Sequence, residues 1–166
     1  ACPSHEVILA KSDGYTMLKL KDGFVPDTTP GWPAVPSRFV NILLPEGEDF
    51  ISLDVRAESG ILAENVTLYP AQPPRQPGLP PPAFVGPDRT AYSSVGPMPA
   101  EWAEFIGVQE MRGRRLVTVK LNPLRYHPAA RRVDLASDVV VTVNHRPQRK
   151  AATGWTMTPL FDPLLP

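Results

Sequence analysis

Cysteine is all but missing. Cys2 is the only one in 166 residues, so no disulfide can form within the chain. Neither sign of charge is in excess, with 17 cations against 17 anions, which removes the electrostatic footprint of a partner such as nucleic acid or an anionic membrane surface. No apolar run approaches the ~18 residues of a membrane span. Long amphipathic helices, internal repeats, glycine-rich phosphate cradles, nucleophile elbows and kinase elements are equally lacking. His5, His127 and His145 stand in no metal-ligand spacing with one another or with Cys2, so neither a metal nor another cofactor is expected. A Cys2–His5 dyad would sit at a frayed terminus, a poor place to hold a nucleophile against its base. Glu101 and Glu104 read as a solvated turn face rather than a general acid and base. By itself the chain is not an enzyme.

Proline, by contrast, is abundant: 22 of 166 residues, about 13% against a usual ~5%, which argues against a helical bundle and for short strands joined by turns. His5–Lys11 and Tyr15–Leu20 flank Ser12-Asp13-Gly14 and read as a hairpin. Phe24–Pro36 is a proline- and glycine-rich connector. Arg38–Leu44 is an apolar strand that stops at Pro45-Glu46-Gly47. Phe50–Ala57 alternates, with Ile51, Leu53 and Val55 on one face. Asn65–Tyr69 is a further short strand, Val85–Pro99 is irregular, and Ala100–Ile106 fits one helical turn or a strand. Leu116–Leu121 alternates again. The loop NPLRYHPAARR follows, and Val133–Leu135 and Val139–Val143 form a terminal pair joined through Ala136-Ser137-Asp138. Strands at roughly ten-residue spacing predict an all-β, antiparallel β-sandwich with long proline-rich loops. Residues 1–145 form this domain and 146–166 a linker and extended C-terminal tail. The apolar stretch WTMTPLFDPLLP in that tail either packs on the sandwich or covers a neighbour. Trp32, Trp102, Tyr92 and Tyr126 read as core or corner residues.

The segment from Asn65 to Asp88 holds eight prolines between Pro70 and Pro87, with one cation, Arg75, among them. Fixed φ and missing donors exclude helix and interior strand, leaving an exposed, stiff, polyproline-like loop. Such a loop has little entropy left to lose on docking. Arg75, between Pro74 and Gln76, would present a guanidinium to a carboxylate-lined pocket through two parallel charge-assisted hydrogen bonds. The residues alone leave this reading beside a simpler one, a solvated arginine on a protease-resistant loop. Arg112, Arg114 and Arg115, like Arg131 and Arg132, read as solvated strand edges that discourage sheet-to-sheet pairing.

In order along the chain, several motifs resemble the N-terminal propeptide of gingipain-type cysteine peptidases. They are Gly31-Trp32-Pro33-Ala34-Val35-Pro36 with the strand RFVNILLPEGE, the YPAQPP turn, Phe84-Val85, Ala91-Tyr92-Ser93-Ser94 with Gly96-Pro97, and the closing unit MRGRRLVTVKLNPLRYHPAARRVDLASDVVVTV. The closing unit includes the Pro123, Tyr126 and Pro128 loop. The resemblance implies a jelly-roll-like sandwich and a partner, the catalytic domain of a cysteine peptidase, which the propeptide helps to fold and keeps latent during export. It also implies that an arginine on the loop after the Ala/Pro turn enters the peptidase specificity pocket, and Arg75 falls at that place, although the family carries less proline there. The expected location is therefore exported: periplasmic, cell-surface or extracellular.

Two terminal features fit that picture. Ala1-Cys2 resembles the end of a lipoprotein cleavage site, making Cys2 a candidate lipid anchor, with a free thiol as the simpler reading. Arg149-Lys150 is a candidate processing site for a trypsin-like or arginine-specific enzyme, or an ordinary basic linker. A different class remains open: a non-catalytic sandwich module for adhesion, carbohydrate binding or surface assembly.

Overall fold

A computed structural model describes residues 7–25 and 29–148. Cys2, His5, Arg149, Lys150 and the WTMTPLFDPLLP stretch lie outside the described residues. The first hairpin pairs β1 (Val7–Ser12) with β2 (Tyr15–Leu20), Ser12 facing Tyr15 across Asp13-Gly14. Both turn residues have positive φ, 51° and 83°, the two-residue turn that matches strand twist.

Two three-stranded antiparallel sheets follow. One has the order β3 (Arg38–Leu43), β6 (Arg114–Leu121), β5 (Ala103–Met111); the other β4 (Glu48–Ala63), β8 (Arg132–Pro147), β7 (Leu124–His127). The chain crosses between sheets after β3, β4 and β6, so strands close in sequence lie on opposite layers. Alternation along β6 sends Val117 and Val119 inward, where both are wholly buried. Two apolar clusters result. Val7, Leu18, Leu20, Val35, Leu68, Leu124, Tyr126 and Val133 pack under the hairpin, while Leu44, Ala103, Val117 and Val119 pack between the sheets with partly buried Ile42, Leu53, Val55 and Val141.

Between the clusters lies a buried polar junction. The Ser37 hydroxyl donates to Asn122 Oδ1 at 2.7 Å, and Asn122 Nδ2 donates to the Glu101 carbonyl (2.8 Å) and Glu104 Oε1 (2.7 Å). Lys120 reaches the same carboxylate at 3.2 Å. Glu104 is thus a structural acceptor rather than part of a free turn face, because a wholly buried Asn122 needs partners for both ends of its amide.

Several element boundaries differ from the sequence expectation. β4 runs 16 residues, because its partner β8 is equally long and supplies a ladder throughout. Asn65–Tyr69 is no strand: Leu68 makes only an isolated parallel bridge to Thr16, and Asn65 at φ 56° breaks the extended run. Ala100–Ile106 resolves to strand from Ala103 onward. The loop after Leu121 contains β7, and the Val85–Pro99 stretch contains one helical turn, α1 (Arg89–Tyr92), capped by Asp88, whose carboxylate accepts from Ala91 N at 2.8 Å. The terminal pair of strands is instead one strand. Glu58 pairs with Asp138 and Ser59 with Ala136, so Ser137 is a β-bulge, its hydroxyl donating to the Glu58 carbonyl at 3.1 Å. β8 also continues through Arg146 and Pro147, two residues beyond the boundary drawn at 145.

Candidate functional site

The proline loop is built upward from a clasp. Gln72 uses its whole amide: Nε2 donates to the carbonyls of Pro70 (3.0 Å) and Val85 (2.8 Å), and Oε1 accepts from Val85 N at 2.9 Å. That side chain replaces the strand partner that proline-rich backbone cannot supply, closing the loop between residues 72 and 85. Beneath it, Gly31 N donates to the Ala71 carbonyl (2.8 Å), Ala71 N to Trp32 (2.7 Å), and Asp88 N to Gly31 (2.9 Å). Gly31 stands at φ 91°, and a Cβ there would meet the Gly86 carbonyl at 3.0 Å, so no other residue fits comfortably. The Gly-Trp-Pro motif therefore has a job: it seats the base of the loop. Tyr15, Tyr69 and Phe84 add an aromatic wedge, with ring centroids 5.8–6.3 Å apart.

Above the clasp the segment is free. Residues 74–84 are all exposed, and six of the twelve residues from Pro73 to Phe84 are proline. One turn, closed by Leu79 N to the Gln76 carbonyl at 3.3 Å with Gly78 at φ 81°, reverses the chain at the tip. Arg75 lies just before this turn, exposed, with no ion-pair partner among the described residues, and Pro74 and Gln76 flank it in the open. The result is a finger whose root is fixed and whose cation faces solvent.

Some members of the other cationic clusters have local partners. Arg112-Gly113, at φ 52° and 71°, form the β5–β6 turn, and Arg115 pairs with Asp49 across the two sheets. Arg132 and His127 both hold Asp134, each at 2.8 Å. Arg125 lies 4.6 Å from the Trp102 ring, a cation–π contact that sequence pattern could not foretell. Of the aromatics expected inside, Tyr126 is wholly buried, whereas Trp32 is 42% exposed. The hydroxyls of Tyr92 and Tyr126 donate to the carbonyls of Leu68 (2.7 Å) and Val66 (3.1 Å), and burial pushes both phenols above their ordinary pKa. Among the described residues no group of acidic, histidine or cysteine side chains is arranged to hold a metal ion, and no helix is long and apolar enough to cross a membrane. The sequence flagged Arg75 but not Gln72. The available signal was a lone amide residue wedged between Ala71 and the Pro73-Pro74 pair.

A family model, Propeptide_C25, matches residues 25–162. The chain belongs to this family, the gingipain propeptides. It is thus a non-catalytic propeptide of a peptidase zymogen. Two solved structures share the fold. The complex of Porphyromonas gingivalis RgpB pro- and mature domains superposes with a TM-score of 0.68 at 16% identity, covering 86% of this chain and 75% of that one. A structure addressing the zymogenic latency of gingipain K, also from Porphyromonas gingivalis, gives a TM-score of 0.62 at 23% identity, covering 85% and 81%. No curated protein sequence matches the chain. Gingipain propeptides belong to secreted or cell-surface peptidases, which agrees with an exported protein.

Proposed function

We propose that this propeptide binds the catalytic domain of a gingipain-like cysteine peptidase, assists its folding during export, and keeps it latent by inserting Arg75 into the specificity pocket. The clasped finger carries the reading: an exposed guanidinium on a proline-stiffened loop whose ends are pinned by Gln72. Such a tip docks with little further ordering, and a pocket selective for arginine offers the carboxylate that a guanidinium meets with paired hydrogen bonds. Pro74 contributes no amide donor before Arg75. The reversal beginning at Gln76 turns the chain away just after the residue that occupies the pocket, so the Arg75–Gln76 bond is poorly placed for attack. Arg149-Lys150 is the proposed maturation cut, and Cys2 remains a proposed lipid attachment point.

The test is inhibition of an arginine-specific cysteine peptidase by the intact chain, followed with a small substrate. Arg75→Ala should weaken inhibition by about 2 kcal/mol or more, roughly thirtyfold in Ki, without lowering the melting temperature. Arg75→Lys should fall between, having lost the fork but kept the charge. Failure of the unaltered chain to inhibit would instead favour a sandwich module with a binding role of its own.

A further inference from the structure

Each three-stranded sheet ends in two strands with an outer edge that no described strand pairs with, and these edges differ. β3 and β7 are short, at six and four residues. β5 is broken at Ile106, a bulge between the Phe105–Val119 and Gly107–Thr118 pairs, although Phe105 and Val108 stand opposite the buried Val119 and Val117. β4 is 16 residues long. Its irregularities lie toward the ends: Ile51 is an extra residue on β4, and Ser137 bulges from the partner strand opposite Glu58 and Ser59. Between them, Ser52–Glu58 runs in unbroken register with Asn144–Asp138. Natural sheets blunt an exposed edge with proline, lysine or a bulge, and this run of β4 has none of the three. A groove of about 490 Å3, lined by Phe50, Leu53, Val55, Ala103 and Phe105, lies between β4 and β5, so the opposite layer does not seal the edge.

Alternation gives the run two faces. Leu53 and Val55 pack inward, while Ser52 and Asp54 face out, where Asn144 Nδ2 donates to Ser52 Oγ at 3.0 Å and to Asp54 Oδ2 at 2.6 Å. Arg56 shares that outer face. It is exposed, stands opposite Val140 in its own sheet, and has no ion-pair partner among the described residues. The edge thus carries an acid and an unpaired base two residues apart, with Val55 between them at the midpoint of the run. A strand so arranged is complementary to itself. About a twofold axis at Val55, Leu53 faces Ala57, Ser52 faces Glu58, and Asp54 faces Arg56 twice over, always on the same side of the sheet. Moving the axis to Asp54 or to Arg56 sets that residue against its own like charge. A half step would turn the partner's inner face outward. One register therefore satisfies both charges.

We infer that the chain pairs with a second copy of itself, β4 against β4 across Ser52–Glu58, in the antiparallel register that sets Asp54 opposite Arg56. Backbone groups of the free edge supply the ladder, and the two charge pairs fix its register. The contact is isologous, so it closes after two copies instead of growing into a fibre. It leaves the proline finger intact, because Gln72 and Val85, which clasp the finger's root, lie outside β4.

The test is the oligomeric state of the full chain. Light scattering at tens of micromolar should read twice the 18.2 kDa chain mass. Arg56→Asp and Asp54→Arg should each raise the dimer dissociation constant about tenfold or more, since like charges then face each other, while the β-sheet circular dichroism is kept. Mixed in equal amounts, the two variants should dimerise with one another, because every acid again faces a base. Both substitutions together in one chain should restore the dimer for the same reason. A monomer throughout the concentration range overturns the inference. So does a dimer that neither variant weakens, or a pair of variants that does not recombine, since the contact would then lie elsewhere. Should a variant not fold, amide exchange in the unaltered chain decides: it should slow several-fold at the edge-facing amides of Ser52–Glu58 as concentration rises, and exchange independent of concentration overturns the inference. A monomeric chain whose peptidase binding is weakened by Arg56→Asp would give the edge to the peptidase and overturn it as well.

Discussion

At the end of the sandwich that carries the finger, Leu68, Leu124, Tyr126 and Val133 are shut off from solvent, whereas at the β4–β5 end Phe105 and Val108 face inward and still meet water. Composition does not separate the two ends; both are rich in branched aliphatics and aromatics. Coverage does. The first end is closed by elements that are not part of either sheet: the β1–β2 hairpin and the Val66–Pro70 segment, stitched by Thr16 N to the Thr67 carbonyl at 2.8 Å and Tyr69 N to the Thr16 carbonyl at 2.9 Å. The second has only its two free edges. The closed core thus lies directly beneath the root of the proline loop.

Truncation at the two ends measures this contrast most directly. Leu124→Ala removes a side chain with no exposure and should cost about 3–4 kcal/mol in urea unfolding. Val108→Ala, at 43% exposure, should cost under about 1.5 kcal/mol. Equal costs would mean that the two ends are packed alike and the comparison fails. The junction between them comes next. Asn122→Ala leaves the Ser37 hydroxyl and the Glu101 carbonyl without their buried partner, for an expected loss of about 2–3 kcal/mol. Hydrogen exchange should show the loss shared by both sheets.

A smaller change sharpens the role of the closed end. Gln72→Ala removes three hydrogen bonds from a half-buried site, and about 1–2 kcal/mol of stability should go with them. Unlike Arg75→Ala, it should weaken inhibition roughly tenfold through a loosened root, since a mobile finger must be ordered on docking. If Gln72→Ala inhibits like the unaltered chain, the prolines alone hold the finger and the clasp is only structural.

How much of this was readable in the sequence follows from the range of the forces involved. Proline acts on its own backbone and its neighbour, so a stiff exposed loop within Asn65–Asp88 was legible at once, while its ends at Gln72 and Val85 were not. Alternation is also local: it marked Leu116–Leu121 as a strand with two faces, though which face is inward, that of Val117 and Val119, came only from the structure. Ser137 misled because small polar residues signal a turn, yet here they form a bulge held in line by the long partner β4. β7 was hidden because Leu124–His127 is too short to show a period, and its pairing with β8 depends on residues a few positions further on. The clasp and the open β4–β5 end were beyond reach for a different reason. Gln72 is defined by a partner thirteen residues away, and the exposure of Phe105 by the absence of a neighbour strand.

The smallest expected effect separates the ends by pH. Tyr92 lies at the closed end, its hydroxyl on the Leu68 carbonyl, with burial holding its pKa above the ordinary tyrosine value. The folded state then keeps a proton that the unfolded chain releases above about pH 10, so this site leaves stability unchanged at neutral pH and lowers it as pH rises past that point. Tyr92→Phe should cost about 1 kcal/mol near pH 7 through the lost hydrogen bond. Its deficit should shrink above pH 10, where the unfolded form of the unaltered chain is stabilised by ionising Tyr92 and the variant has no such group. Tyr126, shifted the same way, still titrates in the variant, so the decline is reduced rather than abolished. Denaturant midpoints measured from pH 7 to 11 give the outcome. A deficit constant across that range would mean that the Tyr92 hydroxyl ionises as freely as in water, and the end beneath the finger would then be as wet as the β4–β5 end.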